Sequence, residues 1–356
     1  MTAIMNKNRW KVSREIFITG KCNKILYFCF MKLRFLRPVL ILLALITVSC
    51  IRGNKENARK PLTFNPPSVP LMIGSQEEAI HFQTIHYWDH FPFEDSLCII
   101  QEGFADQVFT EYANLLQQAD IQYAKESIKR MMTRAGTAAD DPVVRKKILL
   151  KFFGLTEYFF YHPNSPYRND DILIPALEVV VSTPLLDSTE KQRPLFMLDM
   201  VLKNRPGDQA GNFSFVRAVR NFPYTDDPSS VEYLYDLEAE YILVMFINLG
   251  CPSCHQVKEE IIRSELINQM VETRKLVILT VYPDKDLEGW QENLTELPAE
   301  WIHSYNPDGE IRNGSIYDLK AIPTLYLLDK NKRVMVKDAL SVKQLEDTIR
   351  QQAYFL

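Results

Sequence analysis

The chain has 356 residues, which is room for about two domains of average size. Its 46% hydrophobic and 24% charged residues are ordinary for a globular protein, and six cysteines are too few for a scaffold of this size held together by disulfides. The formal net charge of -4, with no basic block beyond the N-terminal region, gives no electrostatic support for nucleic-acid binding.

The N-terminal region has the layout of a secretory signal peptide. The stretch "MKLRFLRPVLILLALITVSC", residues 31–50, begins with basic residues and continues with an apolar run that is too short for a membrane-spanning helix. The run ends at Cys50 and resembles a bacterial lipobox, which implies that Cys50 is lipidated and becomes the first mature residue. A plain signal peptide and a short membrane anchor are the alternatives. We interpret residues 1–30 as a mis-assigned extension before a true start at Met31.

A polar, proline-rich segment follows the predicted signal. We interpret residues 51–72 as a flexible tether that holds the rest of the chain away from a membrane.

Residues 73–203 are predicted to form an α-helical domain of five or six helices. The clearest helix lies in "DDPVVRKKILLKFFGLTEYFFYH", where Asp141 can cap, Pro142 suits the first helical position and apolar residues recur at helical spacing. Little chemistry is evident in this domain. His86 and His90 could share a helix face, but a metal site needs further ligands. Cys98 is predicted to be a small buried side chain.

From residue 204 to the end, strands and helices alternate, which predicts an α/β fold. "YILVMFIN" and "KLVILTVYP" are predicted strands buried on both faces, with one helix, "VKEEIIRSELINQMVE", between them. A helical insertion, a hairpin of "PTLYLLD" and "RVMVKD", and a last helix with a capping box of Ser341 and Gln344 complete the order. "LKNRPGDQAG", residues 202–211, is predicted to be a protease-sensitive boundary between the two domains.

Two cysteines, Cys251 and Cys254, directly follow the first of these strands in "NLGCPSCHQ". They could be a redox pair, half of a metal site, or two small core residues. A zinc site needs a second pair of ligands, and none is evident in this domain, so we expect no metal or other cofactor. A peroxiredoxin would carry threonine three residues before its reactive cysteine, whereas Asn248 stands there.

The strand–CxxC–helix element, with "AIPTLYLLD" about seventy residues later, resembles the thioredoxin superfamily over roughly residues 205–356. "NRPGDQAGNFSF" resembles the leading segment of its membrane-tethered periplasmic branch, the TlpA/ResA-like proteins. The whole arrangement resembles Bacteroides-group lipoproteins in which a helical domain of unknown function precedes a thioredoxin-like domain. The resemblance therefore implies a C-terminal thioredoxin fold preceded by an α-helical domain.

The resemblance also implies roles for the site residues. Cys251 would attack, at a helix N-terminus where unpaired N–H groups and the helix dipole stabilise a thiolate, and Cys254 would resolve the mixed disulfide. Pro252 would start the helix. Pro323 matches the family's cis-proline, which faces the cysteine pair and exposes the backbone of Ile322 to an extended substrate, and Thr324 completes that motif; a trans proline starting an edge strand is the alternative.

The sequence departs from the family where many relatives carry a buried acid near the second cysteine. Met245 and Val257 stand at the two positions where such an acid is expected. Glu259, Glu260 and His255 lie nearby in the sequence but are unproven substitutes.

Together these observations predict a lipid-anchored, periplasm-facing thiol-disulfide oxidoreductase of the cell envelope. Its direction, by resemblance to the tethered branch, is that of a reductant. Its expected partners are protein thiols and disulfides, an unidentified thiol electron donor, and the membrane through the lipid anchor. The alternative is a binding lipoprotein in which the helical domain carries the function and the thioredoxin-like domain is a scaffold.

Overall fold

The computed structural model describes residues 60–354, apart from 219–229, 249, 285–286, 288–289, 291–293 and 295–296. The signal segment, Cys50 and the start of the predicted tether lie outside these residues. Within the described part, no helix combines the length and the apolar composition that a bilayer crossing requires. The chain from Leu62 onward forms one compact unit, in which helices come first and a sheet with flanking helices follows.

Helices make up the first part of this unit. Those that precede the first strand, within the described residues, are α1 (Gln76–His86), α2 (Leu97–Ile100), α3 (Phe104–Leu116), α4 (Ile121–Ala135), α5 (Pro142–Phe160), α6 (Asp170–Ser182) and α7 (Ser188–Leu202). The predicted helical region is confirmed, and the helix beyond the expected five or six is the single turn α2. Helix α5 begins as predicted, because Asp141 Oδ1 accepts a hydrogen bond from Val143 N at 2.8 Å.

Aromatic side chains fill the centre of the helical region. Trp88 meets the rings of Phe91 and Phe152 edge to face, at centroid distances of 5.0 and 5.4 Å. All three rings are almost completely buried, and apolar side chains from α3, α4, α5 and α6 surround them. The aromatic stretch of α5 is therefore mainly core, and Tyr158, which is 63% exposed, is an exception.

The predicted tether ends earlier than residue 72. Gln101 donates a hydrogen bond to Leu62 O at 3.0 Å and accepts one from Leu62 N at 2.7 Å. The ring of Phe64 packs against Tyr87 and Phe91. Leu62 and Phe64 thus belong to the helical region, so the predicted tether must end before Leu62.

A seven-stranded mixed sheet forms the second part, in the order β2-β1-β5-β4-β3-β6-β7. Its strands are β1 (Ser214–Arg217), β2 (Val231–Tyr233), β3 (Tyr241–Phe246), β4 (Leu276–Tyr282), β5 (Ile302–Tyr305), β6 (Thr324–Asp329) and β7 (Val334–Val336). Strands β3, β4 and β5 are parallel neighbours, whereas β6 runs antiparallel to β3. Among the described residues of this part, the helices include α8 (Pro252–Arg263), α9 (Glu265–Glu272), α10 (Glu310–Asn313) and α11 (Val342–Tyr354).

The central strand β3 is buried on both faces, as its continuous apolar run predicts. Leu243 and Met245 face a cluster that contains side chains of α8, α9 and α11. Ile242, Val244 and Phe246 face a second cluster on the opposite side of the sheet. The order of β3, helix, β4 and the β6–β7 hairpin agrees with the sequence prediction.

Two predictions about this part are wrong. The helix expected over "VKEEIIRSELINQMVE" is divided at Ser264, which is extended and accepts a hydrogen bond from Ile267 N as the cap of a second helix. The insertion expected to be helical contains strand β5. Its sequence "IHSY" is polar, but His303 and Ser304 are buried and hydrogen-bonded to Thr280 of β4.

The connection between the helices and the sheet is not the loose linker that its proline, glycine and charge predict. Asn204 is buried with a left-handed backbone, donates a hydrogen bond to Ile316 O at 2.8 Å and accepts one from Gly211 N at 2.7 Å. Gly207 N donates to Val334 O in the hairpin at 2.7 Å. Because its backbone is tied to the sheet part, we expect this segment to resist proteases.

Candidate active site

The two cysteines lie where strand β3 passes into helix α8. Gly250, with a φ of 82°, turns the chain after the strand, in a conformation that favours glycine. Cys251 is the cap residue of α8, and Pro252 occupies its first position, where a missing N–H leaves no bond unmade. Cys251 is half-buried and Cys254, on the first turn, is buried. The geometry therefore gives the first thiol access to solvent and shields the second.

Burial strongly disfavours ionisation of the second cysteine. It raises the pKa of Cys254 from 9.0 to about 12, and a hydrogen bond with Cys251 acts in the same direction. A hydrogen bond with the backbone of Asn248 opposes them by favouring the thiolate. Cys254 is therefore held as a neutral thiol until something nearby stabilises its charge.

A cavity of about 200 Å³ lies beside the cysteine pair. Met245, at the position where an acid is expected, contributes to its apolar wall, and the described residues that line it include no carboxylate. Lys258 lines the same cavity and is only 7% exposed, with its ammonium 3.8 Å from Glu259 Oε1. A buried cation thus lines this cavity, where the family pattern has an acid.

Sequence reasoning missed Lys258. Its burial could have been predicted from its position in helix α8, because Val257 and Ile261, on either side of it, belong to the face that packs on the sheet. Of the substitutes weighed from the sequence, His255 lines the cavity but is exposed, and Glu259 and Glu260 do not line it.

The second half of the site comes from the segment before strand β6. Cys251 Sγ lies 3.5 Å from Ile322 O, and the Ile322–Pro323 peptide bond is cis, as the resemblance implies. Thr324 is buried, pairs with Phe246 of β3, and donates through Oγ1 to Ala321 O at 2.5 Å. The fold thus brings the two sequence-predicted motifs into contact.

The other candidates lie outside this site. Helix α1 ends at His86, so His90 does not share its face, and His86 Nδ1 lies 2.6 Å from Asp89 Oδ2. Cys98 is buried in the helical core, and burial raises its pKa to about 12. Across the described residues, no three potential metal ligands come together in a cluster.

Comparison with known proteins agrees with this architecture. Residues 47–204 match the family model "Domain of unknown function (DUF5106)". A thioredoxin-like protein from Bacteroides caccae is 34% identical in sequence, covers 82% of this chain and 99% of its own, and superposes with a TM-score of 0.73. Among curated proteins, none matches this sequence.

Shorter structures match only part of the chain. The C-terminal domain of an uncharacterized protein from Bacteroides fragilis is 37% identical over 41% of this chain and 98% of its own, with a TM-score of 0.37. A domain of a possible thiol-disulfide isomerase from Cytophaga hutchinsonii is 22% identical over 43% and 96%, with a TM-score of 0.33.

Proposed function

The chain belongs to the thioredoxin-like proteins, and we propose that it is a thiol-disulfide oxidoreductase that acts through Cys251 and Cys254. The observation that carries this proposal is the arrangement of the two thiols: one half-buried at the cap of a helix and the other buried one turn later, with the Ile322 carbonyl 3.5 Å from the first.

In the proposed reaction, the Cys251 thiolate attacks one sulfur of a substrate disulfide. The substrate S–S bond breaks, a mixed disulfide with Cys251 forms, and the leaving thiolate takes up a proton. Cys254 then loses its proton and attacks Cys251 Sγ, which releases the second substrate thiol. The substrate has gained the two electrons that the protein lost, and an external thiol donor must restore the Cys251–Cys254 dithiol.

The second step needs a stabilised Cys254 thiolate, because burial alone keeps this thiol neutral at physiological pH. The charge of Lys258, at the edge of the same cavity, would supply that stabilisation without a buried acid. Lys258 is therefore the residue we assign to the resolving step in place of the missing carboxylate.

We further propose that the protein works as a reductant on the periplasmic side of a membrane, tethered through a lipid on Cys50. Its partners would be protein disulfides and a thiol electron donor in the cell envelope. The direction and the location both follow from the sequence resemblance to the tethered branch. A dithiol potential closer to that of thioredoxin, about −270 mV, than to that of protein disulfide isomerase, about −180 mV, would support the reducing direction.

The test is insulin reduction by the full-length protein with dithiothreitol as the electron source, compared among variants. Cys251→Ser and Cys254→Ser should abolish turnover, and Cys254→Ser should trap a mixed disulfide through Cys251. Cys98→Ala, which changes a buried thiol far along the chain, should keep the wild-type rate. If Cys251→Ser retains activity, the redox assignment is wrong and a binding function of the helical region becomes the better explanation.

A further inference from the structure

A buried network of charges joins the helical region to the segment that carries Ile322. Asp170 is the first residue of helix α6, and its carboxylate accepts hydrogen bonds from two lysines of the sheet part. Lys320 Nζ lies 2.7 Å from Asp170 Oδ1, and Lys337 Nζ lies 3.0 Å from Oδ2. The two lysine side chains are only 3% and 6% exposed. One carboxylate of the helical region thus pairs with two buried cations of the sheet part.

The network continues on both sides of Lys320. Its ammonium lies 4.6 Å from the centre of the Tyr161 ring, and the Tyr161 hydroxyl donates to Asp318 Oδ1 at 3.2 Å. Arg168 of the helical region pairs with Asp338 of the sheet part at 3.3 Å. Helical residues therefore contact charged residues on both sides of the β6–β7 hairpin.

Lys337 also caps the C-terminal end of helix α7 in the helical region. Its Nζ donates to the carbonyl oxygens of Met200, Val201 and Lys203 at 3.3, 3.0 and 2.9 Å. These carbonyls lie at the C-terminal end of α7, where backbone acceptors lack the usual partners of a helix interior, and Met200 O also accepts from the cap residue, Lys203 N, at 3.2 Å. The same cation thus satisfies Asp170 and the end of α7, so the helical region and the hairpin are fixed together at this point.

The position of Lys320 links this network to the active site. Lys320 precedes Ile322 by two residues, and Ile322 O contacts Cys251 Sγ at 3.5 Å. We name residues 320–324 the docking loop. One end of it is held by Asp170 through Lys320, and the other end is strand β6, which begins at Thr324 and pairs with β3. Each residue between the two ends therefore lies within two positions of a fixed one.

Because Lys320 is buried, the position of its side chain depends on the Asp170 carboxylate. The Lys320 side chain is only 3% exposed, and besides Asp170 Oδ1 at 2.7 Å its ammonium has Asp318 Oδ2 at 3.4 Å and Asp338 Oδ2 at 3.9 Å. Loss of the Asp170 carboxylate removes the shortest of these pairs and draws the ammonium toward the two that remain. That shift would move the docking loop relative to Cys251. An exposed pair, such as Lys151 with Asp106, would simply be solvated and would leave its neighbours in place.

We propose that Asp170 is a positioning residue of the active site: through Lys320 it holds the docking loop against Cys251, so the helical region forms part of the machinery that binds an extended protein substrate. This inference rests on the proposed exchange function. It assigns the helical region a task in substrate recognition, which a separate module joined by a free linker could not perform.

The first test compares wild type with Asp170→Asn, which keeps the shape of the side chain and removes its charge. The two substrates are insulin and cystine. Insulin is a polypeptide that should pair with the docking loop, whereas cystine is too small to do so. Asp170→Asn should raise KM for insulin about tenfold and leave the rate with cystine within about twofold. Asp170→Glu, which keeps the charge, should restore most of the insulin KM. Asp106→Asn, the same change at an exposed pair of the helical region, should behave as wild type.

An unchanged insulin KM in Asp170→Asn would overturn the inference, and so would an equal loss with insulin and cystine. If Asp170→Asn does not fold, Tyr161→Phe is the milder variant, because it removes only the hydroxyl that bonds Asp318. It should raise the insulin KM a few-fold in the same selective way, and a wild-type KM would contradict the inference.

Hydrogen exchange gives a measurement that does not depend on activity. In folded Tyr161→Phe or Asp170→Asn, amides of the peptide covering residues 318–326 should exchange faster than in wild type, while those of strand β4 should not change. Unchanged exchange in the docking loop would overturn the inference even if catalysis proceeds. The two proposals can also fail separately. If wild type has no thiol-disulfide exchange activity but the variants still show faster hydrogen exchange in the docking loop, the proposed function is refuted and the structural coupling stands.

Discussion

The thiol of Cys251 lies 3.5 Å from the carbonyl oxygen of Ile322, a residue 71 positions further along the chain. Strands β3 and β6 produce this contact, because they pair antiparallel with Phe246 opposite Thr324. The cysteine follows the end of one strand, and Ile322 precedes the start of the other. The Cys251 sulfur therefore lies beside the Ile322 backbone, although the two residues are far apart in the sequence.

The two thiols should differ sharply in their reaction with iodoacetamide. In the reduced full-length protein at pH 8, Cys251 should be alkylated first, because it is half-buried at a helix cap. With a pKa of about 12, Cys254 carries only about one thiolate in ten thousand molecules at that pH. Mass spectrometry of individual peptides gives the order. Cys98, whose pKa burial also raises to about 12, is the internal control for a protected thiol. Alkylation of Cys254 before Cys251 would contradict the assigned roles.

Replacing Lys258 by methionine should slow the resolving step. Methionine keeps most of the apolar volume but removes the charge beside the cavity, so the Cys254 thiolate is less stable when it forms. We expect the mixed disulfide with a substrate peptide to persist roughly tenfold longer, equivalent to about 1.4 kcal/mol. Quenched-flow alkylation measures its lifetime. Lys258→Arg should stay close to wild type, and an equal lifetime in Lys258→Met would refute a role for the cation.

Asp170→Asn should destabilise the protein at neutral pH by about 2 kcal/mol, because it removes the carboxylate that bonds two buried lysines, while Lys320 keeps Asp318 and Lys337 keeps its carbonyl acceptors. Burial alone would raise the pKa of Asp170, but the charges and hydrogen bonds of Lys320 and Lys337 lower it below its ordinary value of 3.8. A carboxylate with a lowered pKa stabilises the folded state fully above the unfolded pKa, and that contribution is lost as the pH falls further through the folded pKa.

The difference in stability between wild type and Asp170→Asn should therefore be constant above about pH 5 and shrink below 3.8. Urea unfolding at a series of pH values measures it. Asp106→Asn, which changes an exposed pair, should shift stability by less than about 1 kcal/mol at neutral pH. A difference that grows as the pH falls would show that Asp170 is not stabilised as a carboxylate.

Cys50 should carry a lipid in the mature protein, and residues 1–49 should be absent from it. The reason is the short apolar run between basic residues and this cysteine, which is too short to span a bilayer. Mass spectrometry of the membrane fraction should detect a modified N-terminal cysteine, and Cys50→Ser should move the protein to the soluble fraction. An unmodified Cys50 within an intact N-terminal peptide would contradict the prediction.

Local signals in the sequence were sufficient for the central elements of this fold. Strands β3 and β4 are continuous apolar runs, and a run of this kind predicts a strand buried on both faces without reference to its neighbours. Cys251 and Pro252 mark the start of a helix through the backbone needs of its first turn. The cap at Asp141 is local in the same sense. Each of these features depends on residues close together in the chain.

Only the tertiary structure decided the features whose partners lie far away in the sequence. Strand β5 reads as polar, and it is a strand because β4 satisfies the hydrogen bonds of His303 and Ser304. Lys320 reads as an ordinary surface lysine, and its position in the sequence does not predict burial. Lys320 is buried because Asp170, 150 residues earlier, offers its carboxylate. A charged side chain can leave water only where a distant partner compensates it, and the sequence alone does not show which distant residues will meet.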